Sequence, residues 1–273
     1  MLIEIKDDFD LEKIALSGQC FRVKQFADGV YRFITEDNII YIQKIKDKQF
    51  SISCSEEQWD KIWRDYFDLD RCYSDIFSSE CEKHPFVYQA MVYGRGIRIL
   101  RQNAWEMLIT FIISQRKNIP AIAKSVESLA LRYGHLFQTE YETLYLFPSP
   151  QDMKNSLAEE LMECGLGYRT KYILDAVYQV NSGALDLKAI AKYSDEELLE
   201  KLQTVYGVGK KVANCIALFA YGRTACVPVD VWISRAIENE CKGESPFSLF
   251  DKNAGIIQQY VFYYEKYHQY NSR

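Results

Sequence analysis

The sequence predicts an α+β protein: a small N-terminal antiparallel sheet domain followed by a mostly helical body. Three observations predict it. Residues 20 to 54 alternate apolar and polar positions between turn signals at Asp28-Gly29, Glu36-Asp37-Asn38 and Lys46-Asp47-Lys48, which is the pattern of a strand meander. Between Glu56 and Tyr66, the residues Trp59, Ile62, Trp63 and Tyr66 recur at helical spacing, so a helix should pack on one face of that sheet. Beyond about residue 85 the periodicity is helical nearly to the C-terminus, broken by Pro148 and Pro150. Asn103 with Glu106, and Ser194 with Glu197, carry the spacing of helix N-terminal capping boxes. The expected division is therefore a sheet domain over residues 1–92 and a helical domain over residues 93–273.

Composition narrows the function classes. The chain has 273 residues, 48% of them hydrophobic and 26% charged, an ordinary balance for a protein with a packed core. No apolar run is long enough to cross a bilayer, and the acidic, mixed start MLIEIKDDFD does not read as a secretion signal. The expectation is an intracellular protein that does not engage a membrane. The eight cysteines are scattered, without a C-x-x-C pair or metal-ligand spacing, so neither structural zinc nor an iron–sulfur cluster is expected. A net charge of -5 argues against holding nucleic acid by bulk positive field. Any DNA contact must be local, and the candidates are Arg95, Arg98 and Arg101, then Arg116 and Lys117, Arg169 and Lys171, and Lys210 and Lys211. Taken singly, each of these reads as a solvated charge.

The most informative segment runs from 194 to 222 and on to Asp230. It reads as helix, tight turn, helix, then a loop. The turn Val205-Tyr206-Gly207-Val208-Gly209 allows positive φ and close approach by another backbone. Its amides, with the N-terminus of the next helix, suit a phosphate. A helix-hairpin-helix of this kind binds DNA through main-chain dipoles and needs no strongly basic surface; an ordinary αα-hairpin is the plainer alternative. Lys211 falls in the first turn of the second helix, where the positive end of the helix dipole disfavours an ammonium and favours the neutral amine that nucleophilic attack requires. Asp230, in Val227-Pro228-Val229-Asp230, precedes a helix-like run and suits an N-cap. A carboxylate there is also able to stabilise positive charge developing on a sugar.

With these residues in place, the sequence resembles the 8-oxoguanine DNA glycosylase/lyase family of the helix-hairpin-helix glycosylase superfamily. SGQCFR at 17–22, GIRILRQ at 96–102, CGLGYRTKY at 164–172, GVGKKVANC at 207–215, VPVDV at 227–231 and AGIIQQYVF at 254–262 carry the resemblance in order along nearly the whole chain. It implies that Lys211 attacks the anomeric carbon and forms a Schiff base, that Asp230 is its carboxylate partner, and that no metal or organic cofactor takes part. The implied partner is double-stranded DNA containing 8-oxoguanine, met by a monomer that flips the base out of the stack. The backbone carbonyl of Gly18 would read the N7 hydrogen that distinguishes 8-oxoguanine from guanine. Cys215 and Phe262 would sandwich the base, and Gln258 would read its Watson–Crick edge. Tyr168 would be the wedge beside the estranged base and Arg169 the arginine touching it, with Gly207 and Gly209 on the backbone.

Three positions depart from the family's animal members. Arg116 stands where they carry an asparagine wedge, Ala121 where they carry a second arginine, and Trp232 where a histidine is frequent, so the opposite-strand and phosphate contacts are expected to differ. Two other readings are open on the residues alone. A helix-hairpin-helix glycosylase for another lesion would show four clustered cysteines in the iron–sulfur branch, or would have no need of Lys211 in the monofunctional alkylation branch. A noncatalytic DNA-binding module would need neither Lys211, Asp230 nor Gly18.

Overall fold

The computed structural model describes residues 1–271. It opens with strand β1 (Leu2–Glu4), helix α1 (Leu11–Leu16), and strands β2 (Lys24–Gln25), β3 (Val30–Thr35), β4 (Asn38–Lys46) and β5 (Gln49–Ile52). The strands form an antiparallel sheet in the order β1-β5-β4-β3-β2. The meander is the expected one, with β1 added alongside β5 through the register Leu2↔Ser51. Helices α2 (Glu56–Gln58) and α3 (Arg64–Tyr66) are two ends of one helical run, joined by a wider π-type turn over Trp59–Trp63. Ser55 starts it with a reciprocal capping box to Gln58. Its apolar face meets the sheet in an aromatic core, in which Phe67 makes edge contacts with Phe33 at 5.1 Å and Phe9 at 5.4 Å between ring centroids. Helices α4 (Tyr73–Glu80) and α5 (Pro85–Gly94) follow.

Arg98 is fully buried. Its guanidinium donates to the carbonyls of Phe67, Asp68, Arg71 and Asp8 and to the Asp7 carboxylate, and it lies 4.2 Å from the centroid of the Tyr73 ring. Five partners satisfy the fork that would otherwise make a buried cation prohibitive. Its neighbours are also occupied, Arg95 by Asp8 and Arg101 by Asp65 and Asp68. The first of the candidate basic groups is thus an ion-paired structural hub and not a DNA surface. The carboxylates that neutralise it come from sequence-distant segments, which a count of local positive charge cannot show.

Residues 102–221, with the turn 35–38, make a second compact unit. It contains α6 (Ala104–Ser114), α7 (Ile119–Tyr133), the hairpin β6 (Leu136–Gln138) and β7 (Thr143–Tyr145), then α8 (Ala158–Glu163), α9 (Thr170–Asn181), α10 (Asp195–Gln203) and α11 (Lys210–Phe219). Asn103 caps α6 by accepting from the Glu106 amide at 3.0 Å, and Ser194 caps α10 in a reciprocal box with Glu197, as the spacing predicts. Helix α6 is buried from Trp105 to Ile113, which makes it the axis of this unit.

The last segment holds α12 (Val231–Glu240) and α13 (Ala254–Asn271), and it belongs with the first 101 residues, not with the helical unit before it. The contact-based division is therefore not a sequential one at residue 92: residues 1–34, 39–101 and 222–273 form one unit. The physical reason is the packing of α13 on α5, where Tyr264 meets Phe86 at 5.8 Å and Tyr263 meets Tyr93 at 5.6 Å between ring centroids. Local periodicity reports that a helix has an apolar face but not which helix covers it. Among the described residues no helix is long and apolar enough to cross a membrane.

Candidate active site

In the helical unit the hairpin α10–turn–α11 is as the sequence reads. Val205 and Val208 are buried and anchor the turn, with the Val208 amide donating to the Val205 carbonyl at 3.0 Å. Gly207 has φ +85, and a Cβ built there would sit 2.4 Å from the Tyr172 ring. Both the left-handed backbone and the ring lying against it require glycine. Gly207→Ala should therefore cost about 2 kcal/mol or more of stability, from the left-handed penalty together with overpacking, and should weaken DNA binding with it. Denaturant titration and fluorescence anisotropy on duplex DNA would check this; an unchanged unfolding midpoint would show that Tyr172 does not brace the turn. Gly209 differs, since a Cβ there meets nothing within 4 Å and no side chain caps α11. Its surroundings leave the first amides of α11 open to an anion.

Lys211, half-buried, is the second residue of α11. Its ammonium lies 5.6 Å from the centroid of Phe111, which is itself stacked on Phe219 at 5.5 Å and 16°. The amine thus stands at a helix start over the face of a stacked aromatic pair. Cys215 follows four residues later and, at 3% exposure, presents its sulfur on the same helical face. Lys210, by contrast, is exposed, and its carbonyl accepts from Asn214 at 2.8 Å.

The same unit holds the residues expected to meet the opposite strand. Tyr168 is 48% exposed, and the Arg169 guanidinium lies 4.4 Å from its ring centroid. Arg169 is itself buried and donates to the carbonyls of Gln115 and Leu166. Arg116 is exposed, with φ +53, a left-handed backbone that a non-glycine residue adopts at a cost. Lys117 donates to Ser125 and to the Gly165 carbonyl, both at 2.6 Å, and burial together with the nearby Arg169 charge pushes its pKa down. Ala121 occupies the first turn of α7, its amide held by the Asn118 cap at 2.9 Å. Lys171 lies over the rings of Tyr172 and Tyr206 at 5.5 and 5.2 Å, a basic and aromatic surface beside the hairpin turn that single-residue reading does not show.

In the other unit, Asp230 is the N-cap of α12, its Oδ1 accepting from the Ile233 amide at 2.9 Å. The cap uses one oxygen and fixes the carboxylate without consuming it. Trp232 is half-buried in the first turn of α12, with the Arg235 guanidinium 5.8 Å from its ring centroid. Gly18 follows α1 with φ +79. Helix α13 contributes Gln258 and Phe262, four residues apart and so on one face. Gln258 is 3% exposed and its Oε1 has no hydrogen-bond partner. Leaving a buried carbonyl oxygen unmet costs about 1 to 3 kcal/mol, so a donor beside Gln258 would be favoured.

The comparisons with known proteins agree across the length of the chain. Residues 1–108 match the family described as 8-oxoguanine DNA glycosylase, N-terminal domain, and residues 109–241 match the HhH-GPD superfamily of base excision DNA repair proteins. An N-glycosylase/DNA lyase of Saccharomyces cerevisiae is 34% identical over 64% of this chain and 50% of its own length. The N-glycosylase/DNA lyase OGG1 of Arabidopsis thaliana is 33% identical over 79% of this chain and 62% of its own. The matched region thus spans about half to three-fifths of these curated relatives. The solved structure of Clostridium acetobutylicum 8-oxoguanine glycosylase/lyase with duplex DNA containing cytosine opposite 8-oxoguanine has a TM-score of 0.91 and 32% identity, covering 98% of both chains.

Proposed function

Because this chain belongs to the 8-oxoguanine DNA glycosylase family of the helix-hairpin-helix superfamily, we propose that it removes 8-oxoguanine from duplex DNA and then cleaves the strand through a Schiff base on Lys211. The observation that carries the lyase half is Lys211 itself, an amine over a stacked aromatic pair in the first turn of a helix that no side chain caps. In this reaction the neutral Nζ bonds to C1′ of the sugar while the C1′–N9 pair leaves with the base, which takes up a proton. The nitrogen then gives up one proton, and its lone pair opens the sugar ring by breaking C1′–O4′, with O4′ taking up a proton, to leave the protonated imine that serves as electron sink for the next step. Removal of a C2′ proton expels the 3′ phosphate and cuts the strand. Amine–imine chemistry of this kind is complete without a metal or organic cofactor. Asp230 stabilises the positive charge that grows on the sugar.

Recognition follows from the same reading. The Gly18 carbonyl accepts the N7 hydrogen that guanine lacks, Gln258 meets the Watson–Crick edge, Phe262 offers an aromatic face, and Cys215 offers its polarizable sulfur. The amides around Gly207 and Gly209 hold the phosphate backbone, with Trp232 near it. An enzyme of genomic DNA works inside the cell, in nucleoid or nucleus. The direct test is borohydride trapping of the native chain on duplexes carrying 8-oxoguanine or guanine at one position. A covalent complex with the lesion and none with guanine is expected, and no complex with either would overturn the reading.

The opposite strand sets a further expectation. Ala121 brings no donor, and Arg169 has to leave the carbonyls of Gln115 and Leu166 to reach a base. A missing bidentate contact forfeits about 1 to 3 kcal/mol of discrimination. Single-turnover excision opposite the four normal bases should therefore fall within about tenfold, and a strong cytosine preference would contradict the assignment of Arg169 as the lone arginine reader.

A further inference from the structure

The loop that follows α1 is held from two sides, and one of its holders has no part in the chemistry above. Helix α1 ends at Leu16. The Ile14 carbonyl accepts from the Ser17 hydroxyl at 2.7 Å. The Leu16 carbonyl accepts from Tyr267 at 3.0 Å and Lys266 at 3.3 Å. The Ser17 carbonyl accepts from Nε2 of Gln259 at 2.6 Å, a contact between residues 242 positions apart. Gln259, Lys266 and Tyr267 recur at a spacing that places them on one face of α13. Ser17 is fully buried and Gln259 is 3% exposed, so the amide was taken out of water to make this bond.

On the far side of Gly18, the Gln19 side chain accepts from the Leu100 amide at 2.7 Å and donates to the Arg98 carbonyl and the Ser17 hydroxyl, each at 2.8 Å. The residues on both sides of Gly18 are therefore pinned. Glycine is the soft joint between them, and its φ of +79 is a conformation that it visits freely and leaves freely. The direction of its carbonyl depends on the peptide plane before it, and that plane is fixed by what holds the Ser17 oxygen.

We propose that Gln259 is a positioning residue for lesion recognition: by holding the Ser17 carbonyl it aims the neighbouring Gly18 carbonyl at the N7 hydrogen of the flipped base. The inference rests on the reading of Gly18 given above. Adjacent glutamines then divide one task, Gln258 meeting the Watson–Crick edge on the reading above and Gln259 setting the acceptor that judges the other edge. Discrimination by a single acceptor needs placement within a few tenths of an ångström, which a glycine with one loose flank does not supply.

The test uses the full chain with Gln259→Met, which keeps the volume and removes the donor. Two rates are measured: release of 8-oxoguanine from a duplex, and strand cleavage at a pre-formed abasic site, which requires Lys211 but no base recognition. Base release should fall about ten- to a hundredfold, the worth of one misplaced buried acceptor, while abasic-site cleavage should stay within about twofold of native. Loss of both in equal measure, or of neither, overturns the inference. Gln259→Glu gives an independent readout. As a carboxylate it sets an acceptor against the Ser17 carbonyl, and once protonated it regains a donor, so its base release relative to native should recover as pH is lowered. A flat ratio overturns the inference even if Gln259→Met does not fold. Failure of the native chain on 8-oxoguanine, with abasic-site cleavage intact, would overturn the substrate reading and this inference together; native excision unchanged by Gln259→Met would overturn this inference alone.

Discussion

Lys211→Gln is expected to abolish the borohydride-trapped complex and to slow base release by about 10⁴-fold or more, the scale at which removal of a nucleophile is felt. Glutamine keeps a long polar side chain at this half-buried position but has no amine to attack with, so folding and DNA binding should survive. On the proposed reading, binding is carried by main-chain amides of the turn and of α11, which the substitution leaves in place. Lys210 is the necessary control, since it is exposed and adjacent. Lys210→Gln should trap as well as the native chain. Trapping undiminished in Lys211→Gln and lost in Lys210→Gln would move the nucleophile to the neighbouring position.

Asp230→Asn separates two jobs of one side chain. Asparagine caps a helix about as well as aspartate, so the bond to the Ile233 amide is kept and stability should change by less than about 0.5 kcal/mol. The negative charge is gone, and base release should fall about 10²- to 10³-fold, the loss seen when one preorganised electrostatic partner is removed from a transition state. Asp230→Ala should show the same loss of rate and, in addition, about 1 kcal/mol of lost stability from the missing cap. Calorimetry and single-turnover kinetics on the pair decide the matter. Full activity in Asp230→Asn would reduce Asp230 to a cap.

Features whose physics is local were legible in the sequence. The meander showed itself because strand alternation and turn residues repeat over a short stretch, and the hairpin because Gly207 and Gly209 permit the positive φ and close backbone approach that a tight turn needs. Strand β1 was not legible, since three residues carry no period and its partner β5 lies about fifty positions on. The hairpin β6–β7 was missed for a different reason. Its turn contains no glycine, proline or asparagine, and is closed by the Thr139 hydroxyl accepting from the amides of Tyr141 and Glu142, a weaker turn signal that a single threonine does not announce. Lys211 and Asp230 were legible as a helix start and a cap able to carry such chemistry, and the resemblance supplied the reaction and the substrate. The three arginines near residue 98 misled because counting charge along a chain ignores the carboxylates that fold back onto it. Gln259 left no signal, as one more polar residue on a long helix whose partner is near the other end of the chain.

The return of residues 222–273 to the unit that the first hundred residues begin has a consequence for how the protein is made. On a ribosome adding about 5 to 20 residues per second, Ser17 emerges roughly 10 to 40 s before Gln259 is synthesised. During that interval the sheet can condense on Phe33, Trp63 and Phe67, and the helical unit can complete itself. The Leu16 and Ser17 carbonyls and the apolar face of α5 must wait. Until Gln259 is made, the loop that carries Gly18 lacks one of its two holds, so the proposed ability to tell damaged from normal guanine waits on a segment synthesised long after the loop itself.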